Sequence, residues 1–247
     1  MGSISVRKWI RWVPEEASEP TSTLVLTSPG RHFVDLRIYL PEGHQGTWTG
    51  QHAKDPLPLS RLEWGIAGIS ISTKRPDSTG KLASYSAFHQ WISSRTLTPE
   101  LFPDAGFMYF QPDDLVLEKG SMLNPDTGAD GEYEELWHDV DPTGVPGEGS
   151  VRILVVQLHD DEHRTRGSVV RLGRHMQGFV RVGDDVALER WEWDEGWKRT
   201  VKIGDIGLPC EKILNGENLS EGDVIDVGGK PWMVVEENGR RDAASKL

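Results

Sequence analysis

Two stretches of alternating residues carry polar side chains that are unusual for a sealed protein core. On one strand face the alternation places Gly173, His175, Gln177 and Phe179, and on another it places Tyr85, Ala87, His89, Trp91 and Ser93. Imidazole, amide and phenol groups need hydrogen-bond partners when they are buried. These two faces therefore predict a cavity in which such groups meet a ligand.

A second pattern resembles a metal site. The segment His159–His163 spells His-x-x-Glu-His, a metalloprotease motif. Zinc binding by this motif requires both histidines on one face of a helix, whereas this segment lies between two strand-like runs and continues into polar residues. It therefore predicts a solvated turn and no metal site. The lone Cys210 excludes a cysteine-based metal centre, and because a glycine-rich phosphate loop is also missing, we expect no cofactor.

Composition limits the class of partner. The 247 residues include 27 Lys and Arg against 39 Asp and Glu, which gives a formal net charge of -12 at pH 7. Nucleic acids bind to basic surfaces, so we expect no nucleic-acid partner. No apolar run approaches the ~20 residues of a membrane-spanning helix. The 10 tryptophans suit a cavity for hydrophobic small molecules, and the chain is expected to be an intracellular protein without a membrane span.

Alternation with period two dominates the chain and predicts many short strands. In the strand predicted at His32–Leu40, Val34 and Leu36 share one face while Asp35 and Arg37 share the other, where Arg37 is expected to pair with Asp35 or Glu63. The other predicted strands include Leu62–Ser72, Leu82–Ser93, Leu115–Leu117, Tyr133–Trp137, Val151–Leu158, Ser168–Val182, Val186–Trp193 and Val224–Val227. Helices should be few and short, one of them at Pro99–Phe102.

A Pro- and Gly-rich stretch at residues 141–150 predicts a linker between two units. The boundary is placed between an N-terminal β-barrel, residues 1–145, and a C-terminal β-barrel, residues 146–247. Two successive meanders of short strands predict an all-β fold in which two antiparallel β-barrels pack together.

Six blocks of sequence together resemble the fungal Hri-one protein family, named after a yeast partner of a casein kinase. In chain order the blocks are Phe33–Arg37, Leu62–Gly68, Phe88–Trp91, Glu135–Pro142, Gly173–Phe179 and Trp232–Glu236. Each block is weak alone, but their order across nearly the whole chain is specific. The resemblance implies two lipocalin-like (calycin) β-barrels.

The resemblance also implies a function. Ordinary members of the family have no established reaction, but an offshoot in fungal secondary metabolism comprises hetero-Diels–Alderases. These join an ortho-quinone methide of a tropolone to a humulene-type sesquiterpene alkene. The family usually has Trp where this chain has His175, and the smaller polar ring suits a lumen that holds a substrate. We therefore expect a cofactor-independent hetero-Diels–Alderase, with drift at a permissive position as the other explanation of His175.

Such an enzyme needs an aromatic-lined pocket and a hydrogen-bond donor at the carbonyl oxygen of the diene. We expect His175 and Gln177 to be the catalytic donors. The expected substrate-binding residues are Trp64, Tyr85, His89, Trp91 and Phe179. For each tryptophan the alternative is a structural role in plugging a barrel or packing the barrels together.

Two other functions remain open from the sequence. A non-catalytic interaction protein, such as a kinase partner, would have a closed lumen and would dock through the acidic runs Asp130–Glu135 and Glu189–Glu195. A passive lipocalin-like carrier would have an open lumen and no effect on reaction rates.

The final residues, Ser245-Lys246-Leu247, spell a peroxisomal address. A cloning remnant is the other interpretation of this tripeptide. The expected location is therefore cytoplasmic, or peroxisomal if the tripeptide is native.

Overall fold

The first eight strands form a closed antiparallel β-barrel. The computed structural model describes residues 2–42, 56–102, 104–124, 127–215 and 218–238. Neighbouring strands pair in chain order, and the first pairs with the eighth to close the barrel. The strands are β1 (Ser3–Trp12), β2 (Thr21–Thr27), β3 (His32–Tyr39), β4 (Leu62–Pro76), β5 (Leu82–Ser93), β6 (Asp104–Phe110), β7 (Leu115–Asn124) and β8 (Ala129–Val140). An all-β fold with a closed barrel is therefore confirmed.

The remaining strands form a seven-stranded antiparallel sheet. They are β9 (Ile153–Asp160), β10 (Thr165–Leu172), β11 (His175–Val182), β12 (Asp185–Trp193), β13 (Trp197–Ile203), β14 (Val224–Val227) and β15 (Lys230–Asn238). Their order in the sheet is β13-β12-β11-β10-β9-β15-β14. Within the described residues this sheet has two edges, so the closed second barrel expected from the resemblance is not observed.

The largest hydrophobic core lies between the outside of the barrel and one face of this sheet. The barrel contributes apolar residues from β2 and β3, among them Leu24 and Leu36, and the sheet contributes residues such as Val170 and Leu188. Since successive residues of a strand point to opposite sides, Asp35 and Arg37 of β3 point into the barrel. The lumen is therefore lined by charged groups as well as by the aromatic residues expected from the sequence.

The other face of the sheet is covered by a short helix, α1 (Cys210–Asn215). Cys210 and Ile213 of this helix pack with Trp232 in a second buried core. Two 3-10 turns, Leu59–Arg61 and Pro99–Leu101, are the other helical segments described. The expectation of few, short helices is confirmed, and among the described residues we find no helix with the length and hydropathy to cross a membrane.

One tight turn decides how two of the sheet strands are divided. The predicted strand Ser168–Val182 is in fact two strands, β10 and β11, because Gly173 adopts φ +53° in a tight turn. A Cβ atom at residue 173 would collide with the backbone carbonyl of Thr143, so the close approach requires glycine. Gly173 therefore leaves the strand face that it was expected to share with His175.

The chain crosses from the barrel to the sheet between Val140 and Ile153. The expected boundary between residues 145 and 146 lies within this connection. The turn between β9 and β10 contains most of the His-x-x-Glu-His segment, which confirms that the motif is not helical.

Candidate functional site

Charged and aromatic side chains fill the barrel lumen. Asp35, Arg37, Glu118, Glu135 and Trp137 are all buried there, on β3, β7 and β8. Burial of charge is costly unless each group is paired. The centre of the lumen keeps a cavity of only about 30 Å³, so these groups contact one another closely.

Two arginines pair with Asp35 and Glu135 in the lumen. Arg37 Nε donates to Asp35 Oδ2 at 2.9 Å, which confirms the pairing expected from the sequence, and Arg37 Nη1 donates to Glu135 Oε1 at 3.2 Å. Arg7 Nη1 donates to the same Glu135 oxygen at 2.6 Å. Glu63, the other candidate partner of Arg37, forms an ion pair with Arg95. The lumen is thus built around a shared carboxylate between two guanidinium groups.

Glu118 is a protonated acid at neutral pH. Tyr133 Oη lies 2.9 Å from Glu118 Oε1, and Trp137 Nε1 donates to Oε2 at 3.0 Å. Burial, reinforced by the negative charges of Glu135 and Asp104, raises the pKa of Glu118 to about 8. Its proton lowers the negative charge in a lumen that holds more carboxyl than guanidinium groups.

Asp104 lies where the lumen meets a larger cleft. Burial, reinforced by the charges of Glu135 and Asp35, raises the pKa of Asp104 to about 6. Within the part of the chain that the structure describes, no hydrogen-bond partner contacts its carboxyl group. A carboxyl group with a pKa near neutrality beside an open cavity is suited to donate or accept a proton.

This cleft has a volume of about 590 Å³ at the barrel end formed by the start of β4, the end of β5 and the start of β6. We name it the Trp64 cleft; its lining includes Trp64, Gln90, Arg95, Phe102, Asp104 and Met122. Aromatic and aliphatic side chains with a few polar groups are typical of small-molecule sites.

Hydrogen bonds and stacking fix the walls of the Trp64 cleft. Trp64 Nε1 donates to Ser93 Oγ at 3.0 Å, and the Arg95 guanidinium lies 4.2 Å from the Trp64 ring centroid. Gln90 Nε2 donates to the Phe102 carbonyl at 3.4 Å, while the buried Gln90 Oε1 has no partner among the described residues. The cleft therefore combines a rigid aromatic wall with a buried amide oxygen that a ligand could bind.

Of the seven site residues expected from the sequence, only Trp64 lines this cleft. Tyr85, His89 and Trp91 lie on the outer face of β5, opposite its lumen-facing residues. The Tyr85 ring is covered by Arg75 at 4.2 Å, and His89 is exposed. Trp91 lines a separate groove of about 510 Å³, so the structure does not bring these three residues together with Trp64.

His175 lies on the face of β11 that packs toward the barrel, at the start of the strand. The ring is largely buried, and its Nδ1 has no hydrogen-bond partner among the described residues. Burial lowers the pKa of His175, with Glu192 acting in the opposite direction. The imidazole is therefore neutral at physiological pH, but it does not line the Trp64 cleft.

Gln177 and Phe179 lie in the core between barrel and sheet. Gln177 Nε2 donates to the carbonyls of Leu24 at 2.9 Å and Val34 at 3.0 Å, while its Oε1 accepts from Arg190 Nε at 2.8 Å. Both ends of the amide are used, and the residue is 0 % exposed. In this arrangement Gln177 fastens the sheet to the barrel and has no donor left for a substrate.

Sequence reasoning missed Asp104, Gln90, Arg95 and Glu118. The signal for Glu118 was the alternation of charged with apolar residues on β3, β7 and β8, but the charged face was not assigned to the lumen. No pattern in the sequence pointed to Asp104, because it is an isolated acidic residue at the start of the short strand β6. Phe102 was included in a predicted helix and was not considered as a cavity wall.

The His-x-x-Glu-His segment forms ion pairs in an exposed turn. His159 Nε2 lies 2.9 Å from Asp161 Oδ1, and His163 Nδ1 lies 2.8 Å from Asp160 Oδ2. Among the described residues no group of three or more His, Cys, Asp or Glu side chains is placed to hold a metal ion.

Comparison with known proteins gives one family and one solved structure. The family model described as Protein HRI1 matches residues 3–236. A crystal structure of an uncharacterized protein from Saccharomyces cerevisiae is similar with a TM-score of 0.72 and 19% sequence identity, covering 97% of this chain and 100% of that chain. At this identity the likeness shows the fold alone. No curated protein sequence matches the chain.

Proposed function

The chain belongs to the HRI1 family, and from this premise we propose that it binds a small, largely apolar molecule with a carbonyl group in the Trp64 cleft. One observation carries the proposal. The cleft places aromatic walls, Trp64 and Phe102, beside the Asp104 carboxyl group, which is without a hydrogen-bond partner in the described ranges. Its volume of about 590 Å³ lies within the roughly 300–1,000 Å³ of small-molecule sites.

The reaction that we propose for this cleft is the hetero-Diels–Alder addition implied by the resemblance. The C=C–C=O unit of a tropolone ortho-quinone methide and the C=C bond of a humulene-type alkene form one C–C and one C–O bond, and no atom leaves. Negative charge grows on the carbonyl oxygen, so a donor there stabilises the transition state. The protonated form of Asp104, which its raised pKa keeps populated near neutral pH, is that donor in our proposal, in place of His175 and Gln177.

The aromatic walls supply the second requirement of the reaction. Two apolar partners react faster when they are held in contact and kept dry, because less entropy is lost on the way to the transition state. Trp64 is fixed by Ser93 and Arg95, so it presents a rigid face to one partner. Phe102 and Met122 are the other apolar surfaces of the cleft, and they supply contacts for the second partner.

The test combines a hydroxymethyl-tropolone precursor with a humulene-type alkene and follows the adducts by chiral chromatography. We expect a faster rate and one enriched enantiomer relative to the protein-free reaction. Asp104→Val should lower the rate about a hundredfold, the scale of a lost donor to a developing oxyanion. His89→Gln is the matched control, since His89 is exposed on the outer face of β5 and should leave the rate unchanged.

Binding is read separately from the methyl signals of ¹³C-methionine-labelled protein. Met122 lines the Trp64 cleft and Met176 is buried in the sheet core, so a ligand in the cleft shifts Met122 and leaves Met176 unchanged. A shift of Met122 with a product profile equal to the protein-free control would identify a carrier and overturn the catalytic part. No shift with either substrate would overturn the binding proposal.

The docking alternative would use the acidic runs Asp130–Glu135 and Glu189–Glu195. Its acidic runs are partly used inside the protein: Glu135 pairs with Arg7 and Arg37, and Glu189 accepts a hydrogen bond from Trp191 Nε1 at 2.7 Å. Buried carboxylates are not available to a kinase surface, so a docking partner would have to contact the exposed members of these runs, such as Asp130 and Glu132.

The finer expectations on architecture and location also stay proposals. We propose that the seven-stranded sheet, filled by α1, is an opened counterpart of the second calycin barrel.

We propose a cytoplasmic or peroxisomal location; Ser245-Lys246-Leu247 lies outside the described residues. Imaging a fluorescent protein fused to the N-terminus, with and without this tripeptide, distinguishes the two compartments.

A further inference from the structure

A second cavity opens at the opposite end of the barrel from the Trp64 cleft. It has a volume of about 220 Å³ and lies among the start of β1, the end of β4, the start of β5 and the end of β6. We name it the serine cavity, because its hydroxyl wall consists of Ser70, Ser72, Ser84 and Ser86 on the paired strands β4 and β5. Nothing in the proposed reaction uses this end of the barrel.

The lining of the serine cavity combines hydroxyl groups with apolar side chains. The serine wall offers several hydroxyl groups, two of which, Ser72 and Ser86, lie 3.0 Å apart. Apolar side chains complete the lining: Phe88 and Met108 lie beside the serines on β5 and β6, and Val116 and Trp137 lie on β7 and β8. Hydroxyl groups that both donate and accept, set against an aromatic surface, suit a ring that carries hydroxyl groups at its edge and C–H groups on its face.

The hydroxyl group of Ser70 in the serine wall is buried and unpaired within the described residues. Its side chain lies on the lumen face of β4, lines the cavity and is only 3% exposed. Its hydroxyl oxygen has no hydrogen-bond partner among the described residues. A buried hydroxyl group without a partner is unfavourable, and a ligand hydroxyl group in the cavity would satisfy it.

The ionisable side chains that line the cavity already have hydrogen-bond partners. Arg31 Nη2 donates to Ser72 Oγ at 2.9 Å, and Asp139 Oδ1 accepts from Ser5 Oγ at 2.6 Å. Glu118 forms the floor, where it is bonded to Tyr133 and Trp137. The cavity therefore offers hydrogen bonds without a free charge at its floor, which favours a neutral ligand.

We propose that the serine cavity binds a small neutral polyhydroxylated molecule of the size of a monosaccharide or cyclic polyol. Its volume of about 220 Å³ is below the roughly 300–1,000 Å³ of drug-sized sites, so it admits a single ring. The site is separate from the Trp64 cleft, and its occupant differs in class from the apolar substrate proposed there.

The test titrates ¹³C-methionine-labelled full-length protein with D-glucose and with myo-inositol, each at millimolar concentration. Met108 lines the serine cavity, so we expect its methyl signal to shift while those of Met122 and Met176 do not. Cyclohexanol is the matched ring with a single hydroxyl group and should shift Met108 far less. Equal shifts with cyclohexanol, or no shift with either polyol, would overturn the proposal.

Ser70→Ala tests the hydroxyl group itself. Loss of one hydrogen bond should weaken polyol binding about threefold to tenfold, while the folded protein keeps its stability because no internal bond is lost. Ser121→Ala is the matched serine control at the Trp64 cleft and should leave the affinity unchanged. Unaltered polyol affinity in a folded Ser70→Ala variant would remove Ser70 from the site and overturn the argument from its missing partner. A failure of the Met122 readout would affect only the proposed reaction.

Discussion

Replacing Glu118 by glutamine removes one titratable carboxyl group from the barrel lumen and changes little else. Glutamine matches the shape of a protonated glutamate, and its oxygen can still accept from Trp137 Nε1, now 3.0 Å from Glu118 Oε2. Its NH2 group donates to Tyr133 Oη, which accepts in this arrangement. Glu118→Gln therefore isolates the effect of ionising a 3% exposed carboxyl group.

The size and sign of the effect follow from the pKa of Glu118. The pKa is raised from 4.5 to about 8 in the folded protein. As the pH rises above 4.5, the unfolded chain releases its proton while the folded protein keeps it, so the free energy of unfolding falls. The loss is about 1.4 kcal/mol per pH unit and about 5 kcal/mol across the whole interval. Below 4.5 both states are protonated and this contribution is constant.

Urea unfolding of both proteins between about pH 5 and about pH 8 measures this difference. We expect the wild-type protein to lose stability steadily relative to Glu118→Gln, so that the variant is the more stable protein near pH 8. The control is Glu134→Gln: hydrogen bonding from Lys119 and Arg11 lowers the pKa of Glu134, so its stabilisation is complete above about pH 5. Parallel wild-type and Glu118→Gln curves across the range would refute the proton on Glu118.

Three further predictions concern packing and pH, and all are checked by urea unfolding. Gln177→Leu leaves the Nε of buried Arg190 without its acceptor and removes the two bonds to barrel carbonyls, so it should lower the free energy of unfolding by about 3–5 kcal/mol; an effect below about 1 kcal/mol would contradict the fastening role. Gly68→Ala drives a Cβ atom into the His89 carbonyl and should cost about 3 kcal/mol, and an unchanged midpoint would count against the tight β4–β5 contact. Burial lowers the pKa of His175, so stability should fall as the pH drops below about 6.5. His175→Gln should lack that fall, and a variant that retains it would place the titrating group elsewhere.

Strands were predictable because alternation is a local property. The predicted run Leu82–Ser93 coincides with β5 and Val224–Val227 with β14. β1 was missed, because Lys8, Trp9 and Ile10 interrupt its alternation at a bulge near Trp9. The division of β10 from β11 was missed because it depends on Gly173. This residue adopts a left-handed conformation and packs closely against the carbonyl of Thr143, which is distant in the sequence.

The site was harder to predict because alternation groups residues by face without saying which face is inside. Asp35 and Arg37 were correctly grouped apart from Val34 and Leu36, yet the charged pair lines the lumen and the apolar pair faces the sheet. That outcome depends on the second half of the chain, which covers the barrel from outside. The Trp64 cleft draws Phe102, Asp104 and Met122 from separate strands and loops, and no local pattern links them.

The covering sheet explains why this barrel can hold charges in its lumen. A barrel alone in water must bury its apolar face inward, but here β10 to β12 bury the outer face of β2 and β3 instead. The inward-facing positions of the barrel are therefore not needed for the apolar core, and they can hold Arg37, Glu118 and Glu135. The bonds from Gln177 and Arg190 to carbonyls of β2 and β3 fix this arrangement. The cavities at both barrel ends therefore depend on residues of the sheet that line neither of them.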